Sequence, residues 1–100
     1  MDYLAKVREY RPQASEEVVK KLERRLSLVL RKPDAAMVAA TDPKEVERAA
    51  AWVEKACAVS AEAAKGAVDA ALEAMRGERA KSRLVVYYLA ADHLGKIDSL

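Results

Sequence analysis

The sequence predicts an all-α fold: a compact single domain, residues 1–100, in which about five helices surround a buried C-terminal helix. Composition is the first reason, because 21 alanines and 10 leucines accompany only 3 glycines and 3 prolines. Alanine and leucine are strong helix formers. The second reason is the uncharged run LVVYYLAA, residues 84–91. As a helix this run is apolar almost all round, which is typical of a buried helix.

The first part of the chain predicts two amphipathic helices. Residues 2–10 place their apolar side chains together on one side of a short helix. Ser15 is a good cap for a second helix, from 16 to about 32, which has an apolar arc and an opposite basic arc. Pro33 ends that helix. Residues 34–40, DAAMVAA, are expected to add a helical turn or two.

The segment TDPKE is the clearest local signal. Asp42 is a suitable N-cap, Pro43 fits the first helical position, and Glu45 can reach back as a capping-box partner. These residues predict a helix over 43–57. Trp52 lies on its apolar face, where packing in the core is the simplest interpretation and partner binding is the alternative.

Two further helices complete the predicted bundle. Ser60 caps an alanine-rich helix that ends near Gly77, and its small side chains allow a neighbouring helix to approach closely. The final helix is predicted over 79–94, with Gly95 after its end. The valines and tyrosines at 84–91 also suit a strand. A lone strand would leave its backbone groups unpaired, however, and no second strand-like run is evident.

Charge and composition limit the function classes and the cellular location. The net charge is only +2, whereas nucleic-acid-binding domains usually have a pI above about 9. The single cysteine, Cys57, excludes an internal disulfide and fits a reducing cytoplasm. No apolar run approaches the ~20 residues needed to span a bilayer, and the first ten residues do not resemble a signal peptide. We therefore expect a cytoplasmic protein without membrane contact.

The sequence gives little support for catalysis. The one histidine, His93, lies in the last turn of a predicted helix, where the helix dipole accounts for it. Cys57 lies on an apolar arc, which favours a buried and unreactive thiol. One histidine and one cysteine cannot form a typical zinc site, and no phosphate-binding loop is present. We expect no enzymatic activity, no cofactor and no metal.

Two groups of basic residues are candidates for binding a partner. The helix 16–32 carries one group, and the segment 76–83 carries the other. A charged face often serves only to keep a helical bundle soluble, but it can also bind phosphates or an acidic partner. The candidate binding residues are Lys20, Arg24, Arg31, Arg79, Lys81 and Arg83.

Three functions are compatible with these features. The first is a non-enzymatic interaction or regulatory module that binds a protein partner or itself, for example through an exposed Leu28 or Trp52. The second is nucleic-acid binding through the two basic groups. The third, which has less support, is a small-ligand pocket around Tyr87, Tyr88 and Trp52. Neighbouring tyrosines on a helix point about 100° apart, so the two cannot form one platform.

Three motifs of the chain carry a family resemblance: Leu30–Ala35, Asp42–Glu45, and Lys81–Arg83 with Tyr87–Leu89. They resemble motifs of a small bacterial, all-helical family described only as a domain of unknown function. The similarity extends along the whole chain, although Val85–Val86 and the alanine-rich stretch 56–64 depart from the family pattern. The resemblance implies an all-helical cytosolic domain and assigns no substrate, cofactor or catalytic residue.

Overall fold

In the computed structural model, which describes residues 2–100, the chain forms six α-helices, a two-stranded antiparallel ladder and a short 3₁₀ helix. The all-α fold is therefore confirmed. No helix within this part of the chain is both long and apolar enough to cross a membrane. The helices are α1 (Tyr3–Tyr10), α2 (Glu16–Arg25), α3 (Ser27–Leu30), α4 (Pro43–Cys57), α5 (Ala61–Ala74) and α6 (Arg83–His93). The strands are β1 (Met37–Val38) and β2 (Lys81–Ser82), and the 3₁₀ helix is Ile97–Ser99.

Helix α6 is the centre of the core, as the sequence predicts. Every residue from Leu84 to Ala91 is buried. Helices α1, α2, α4 and α5 all pack against it. A helix without a charged residue over this length gains stability from burial on every side. Gly95 follows α6 with a φ of 69°, a left-handed conformation that glycine adopts at little cost.

Helices α4 and α5 pack together through small side chains. Ala49 and Ala50 are buried on α4, and Ala64, Ala67 and Ala71 are buried on α5. Alanine side chains let two helices approach closely. The predicted N-caps of both helices are confirmed, because their side-chain oxygens accept backbone N–H groups of the first turn. Strong local signals thus set where these two helices begin.

The basic helix predicted over 16–32 is divided into α2 and α3 by a distortion at Leu26. The Leu26 backbone has φ −101° and ψ 11°, outside helical geometry, although its N–H still donates to the Leu22 carbonyl at 3.0 Å. Leu26 is buried whereas Leu28 is 73% exposed. The predicted helix is therefore interrupted at Leu26, whose side chain is buried in the core. This interruption is the reason that the structure has six helices where about five were predicted.

Of the helical turns predicted over 34–40, a single turn closes at Ala36, whose N–H donates to the Lys32 carbonyl at 2.9 Å, and the part that follows is wrong because it contains strand β1. Met37 is opposite Ser82 and Val38 is opposite Lys81. The Arg83 N–H also donates to the Ala36 carbonyl at 2.8 Å. Strand β2 occupies the start of the last predicted helix, so α6 begins only at Arg83. The pairing joins two segments more than 40 residues apart, which local propensity does not reveal.

Helix α1 is attached to the rest of the fold by Val7 and by a polar cluster. Val7 is fully buried. The Tyr10 hydroxyl donates to the Glu78 carboxylate, and Lys6 Nζ lies 2.5 Å from the same carboxylate. Burial, and then the hydrogen bond to Glu78, raise the pKa of Tyr10 to about 12. The hydrogen bonds from Lys6 and Tyr10 lower the pKa of Glu78.

This cluster predicts how one tyrosine titrates. The pKa of Tyr10 in the folded protein exceeds the ordinary value of about 10. Its contribution to stability is therefore complete below pH 10 and is lost as the pH rises through 12. Replacing Glu78 with glutamine should lower the pKa of Tyr10 towards 10, because the carboxylate that disfavours the phenolate is gone.

Absorbance of tyrosinate from about pH 9 to about pH 13, on both sides of the Tyr10 midpoint, measures this change, and Tyr10→Phe identifies which ionisation step belongs to Tyr10. The matched control is Glu73→Gln, since Glu73 is exposed and pairs with Arg76 on the surface. An identical titration of the wild type and of Glu78→Gln would contradict the assignment.

Candidate binding groove

A groove of about 540 Å³ lies between the α2–α3 corner and α4, with the start of α6 beneath it. We call it the basic groove. Its size falls within the range of ligand pockets, roughly 300–1,000 Å³. Most of its floor is aliphatic or aromatic, and four basic side chains border it. Its lining residues are Arg25, Leu26, Val29, Ala35, Arg48, Ala51, Trp52, Lys55, Arg83 and Tyr87.

An aromatic stack forms the centre of the basic groove. The rings of Trp52 and Tyr87 are parallel to within 7°, and their centroids are 4.1 Å apart. The Arg25 guanidinium carbon lies 5.0 Å from the Trp52 ring centroid. Because Tyr87 occupies one face of the indole, Arg25 covers the other. The Arg83 guanidinium lies 5.8 Å from the Tyr87 ring. Four planar groups from α2, α4 and α6 thus follow one another across the groove.

Arg83 is only 4% exposed and supports the groove from below. Its Nε donates to the Ala35 carbonyl at 2.5 Å, and one terminal nitrogen donates to Glu45 at 2.5 Å and to the Met37 carbonyl at 3.2 Å. The other terminal nitrogen donates to the Tyr87 hydroxyl at 3.0 Å. Burial would lower the pKa of Arg83, but the bond to Tyr87 and the charge of Glu45 outweigh it, so the pKa is raised.

Arg83 therefore joins three parts of the fold. It ties the segment before β1 and the first turn of α4 to the start of α6. It also orients the ring of Tyr87, on which Trp52 is stacked. Glu45 contacts Arg83 and Arg48, and the Asp42 N–H donates to the Ala39 carbonyl instead of to Glu45. The capping-box role predicted for Glu45 is thus replaced by an ion pair.

Arg48 and Lys55 form the solvent side of the groove. Both are exposed on α4, and Arg48 lies 2.8 Å from Glu45 with 71% of its side chain accessible. Lys55 is seven positions after Arg48, which corresponds to about two helical turns, or about 10.5 Å along the axis. Ala51 and Trp52 lie between them and also face the groove. The exposed edge of α4 thus carries a positive charge at each end of an apolar centre.

The six basic residues singled out in the sequence have different surroundings in the structure. Arg83 lines the basic groove but is buried, so its charge is used within the protein. Lys20 lies 3.9 Å from Glu16 beside α1. Arg79 and Lys81 border a different depression next to β1, and Lys81 Nζ donates to the Glu78 carbonyl at 2.7 Å. Arg24 and Arg31 are exposed.

Two of the four groove cations, Arg48 and Lys55, were not among the sequence candidates, whereas Arg83 was one and Arg25 belongs to the basic group of helix 16–32. One signal was nevertheless present, because Arg48, Trp52 and Lys55 fall on the same side of a helix. Trp52 and Tyr87 do meet in one pocket, as the small-ligand hypothesis requires. Tyr88 instead lines a separate depression near the end of α1. The two tyrosines diverge, as predicted from their adjacent positions on a helix.

The candidate catalytic side chains lie outside the groove. His93 is exposed at the end of α6. Cys57 is a buried free thiol, and burial raises its pKa. Across residues 2–100, no three side chains of the His, Cys, Asp and Glu types come together as a metal site would require. The structure thus assembles a groove with apolar side chains in its middle and basic side chains at its border.

Comparison with known proteins identifies a family. No curated protein and no solved structure matches the chain. One family does match, over residues 2–98, and it carries the description "Protein of unknown function (DUF2853)". The match includes all six α-helices and both strands, and it confirms the resemblance to a family of unknown function. The chain therefore belongs to the DUF2853 family of proteins of unknown function.

Proposed function

We propose that the protein is a non-enzymatic interaction module that binds an acidic protein partner in the basic groove. The observation that carries the proposal is the arrangement of Arg25, Arg48 and Lys55 around a largely apolar floor, with the buried Arg83 beneath it. Protein interfaces combine a desolvated apolar centre with a polar rim. Arginine, tryptophan and tyrosine are also the side chains that contribute most to interface energies. The groove contains all three, and its charge favours an acidic partner.

Electrostatics adds to the support for an acidic partner. Arg25, Arg48, Lys55 and Arg83 line the groove, and Glu45 is the carboxylate in contact with two of them. The local charge therefore exceeds what the net charge of +2 suggests. A cleft with walls of low dielectric constant concentrates such a field and speeds the approach of an oppositely charged molecule.

Nucleic-acid binding is the second candidate, and the groove supports it less. A base needs an open aromatic face on which to stack. Tyr87 covers one face of Trp52 at 4.1 Å, and the Arg25 guanidinium covers the other at 5.0 Å. Outside the groove, Lys20 lies in a depression beside α1, whereas Arg79 and Lys81 lie together in one beside β1. A continuous track for a phosphate backbone would need these charges on one surface.

We further propose a cytoplasmic location. The single cysteine is a buried free thiol, which is compatible with a reducing compartment.

The proposal is tested by capture from a cell lysate with two charge-reversed variants. Arg48→Glu with Lys55→Glu reverses the groove, and Lys20→Glu with Arg79→Glu reverses two exposed cations elsewhere by the same total charge. Capture is compared with and without nuclease, and at about 50 and 200 mM salt. We expect a protein partner that survives nuclease, is lost with the groove variant and is kept by the control.

Two results would overturn this proposal. Capture that disappears with nuclease and falls steeply with salt would identify a nucleic-acid binder. A groove variant that retains the same partners as the wild type would show that binding takes place on another surface.

A further inference from the structure

We infer that the ligand of the basic groove is a short amphipathic helix of the partner, with two carboxylates two turns apart and apolar side chains between them. The inference rests on the proposed function and specifies the shape of the partner. It follows from the spacing of the groove residues along α4. Helix-in-groove recognition of this kind uses anchor residues at positions i, i+3, i+4 and i+7.

The wall formed by α4 has the same periodicity. Arg48, Ala51, Trp52 and Lys55 all line the groove, and they occupy positions i, i+3, i+4 and i+7 of that helix. The two charges are about 10.5 Å apart along the axis. A ligand helix parallel or antiparallel to α4 repeats the same rise per residue. Glutamates at its own positions i and i+7 therefore reach Arg48 and Lys55 together.

The opposite wall supplies the apolar contact. Leu26 and Val29 come from the corner between α2 and α3, and Ala35 lies near the floor. Trp52 lines the groove and is only partly buried, so part of this residue is accessible to a ligand. Two helices with a furrow between them form a natural seat for a third, because side-chain ridges fit into such furrows. Leucines at positions i+3 and i+4 of the ligand would enter at this place.

The charges of the groove also select the composition of the ligand. Glu45 partly neutralises Arg48 and Arg83, whereas Lys55 and Arg25 face the groove from its two sides. A basic helix would meet like charge at each end of the apolar centre. An uncharged helix would leave Lys55 partly desolvated without a counter-charge, and Arg48 with only the Glu45 carboxylate that it shares with Arg83, which costs free energy. An acidic helix compensates both charges while its middle stays apolar.

The test uses synthetic helical peptides and the fluorescence of Trp52, which is the single tryptophan of the chain. The first peptide has glutamates at i and i+7 with leucines at i+3 and i+4. The second has the same composition with the glutamates at i and i+5, which places them on different sides of the helix. The third contains a central proline, which breaks the helix. We expect a saturable change of Trp52 emission with the first peptide, and binding about tenfold weaker with the others.

A charge swap separates recognition from general damage. The Arg48→Glu and Lys55→Glu double variant should bind the first peptide about tenfold more weakly. It should recover binding when lysines replace both glutamates of the peptide. The Lys20→Glu and Arg79→Glu variant should bind the first peptide as the wild type does. Because both variants carry the same charge change, a difference between them locates the contact.

The outcomes distinguish this inference from the function on which it rests. Equal binding of all three peptides would overturn the helical geometry and leave an acidic groove ligand in place. The helical geometry would also be wrong, and an acidic groove ligand would stay in place, if no peptide binds while capture from the lysate still depends on Arg48 and Lys55. If a single-stranded oligonucleotide shifts the Trp52 emission and displaces the first peptide, both the inference and the proposed function are wrong.

Discussion

Replacing Glu45 with alanine is expected to lower the free energy of unfolding by about 3–5 kcal/mol, because it leaves a buried arginine without its counter-charge. Arg83 is 4% exposed, and its contact with Glu45 is 2.5 Å. Its other partners are two carbonyl groups and one hydroxyl, none of which carries a charge. Urea unfolding followed by circular dichroism measures the loss.

The matched control is Glu47→Ala, two residues further along α4. Glu47 is exposed, so its removal should change the stability by no more than about 0.5 kcal/mol. If Glu45→Ala does not fold, Glu45→Gln keeps the shape and one acceptor and allows the comparison. A loss below about 1 kcal/mol would mean that Arg83 reaches water when its partner is removed.

Replacing Leu84 with alanine is expected to cost about 2–5 kcal/mol of stability, because it leaves a cavity in a helix that is enclosed on every side. Leu84 is fully buried at the start of α6. Helices α1, α2, α4 and α5 all contact α6. Because these helices hold one another in place, they cannot move inward far enough to fill the cavity. The same urea titration measures this effect.

Leu28→Ala is the control, because it removes the same side-chain atoms from a leucine that is exposed instead of buried. Leu28 is 73% exposed on α3, and its truncation should stay within about 0.5 kcal/mol of the wild type. Similar losses for the two leucines would contradict the placement of α6 at the centre. A large loss for Leu28 alone would instead show that α3 is covered in solution, for example by a second copy of the chain.

The elements that could be predicted from the sequence are those with local causes. Asp42 and Pro43 mark the start of α4 because a cap and a fixed φ act within one turn. The buried position of α6 follows from a run that is apolar in every direction. The strand β1 could not be predicted from local sequence. The carbonyl groups of Ala35 and Met37 accept hydrogen bonds from Arg83, which is 46 to 48 residues away in the chain.

The candidate site was less predictable for the same reason. Clusters of basic residues along the chain directed attention to Lys20 and Arg79, which lie at separate depressions. The spacing of Arg48 and Lys55 could be read from the sequence. Whether that spacing forms part of a groove depends on which residues lie opposite α4. Their position follows from the distortion of the backbone at Leu26. Tertiary packing, which local patterns do not specify, creates the groove.

The central position of α6 has a consequence for synthesis of the chain. The apolar sides of α1, α2, α4 and α5 all pack on a helix that is made after them. At roughly 5–20 residues per second, the ribosome needs about 2–8 s to proceed from the start of α4 to the start of α6. During this interval the earlier helices can pair with one another but cannot complete a core. Folding is thus largely postponed until residues 83–93 have emerged, and the nascent chain exposes apolar surface to chaperones until then.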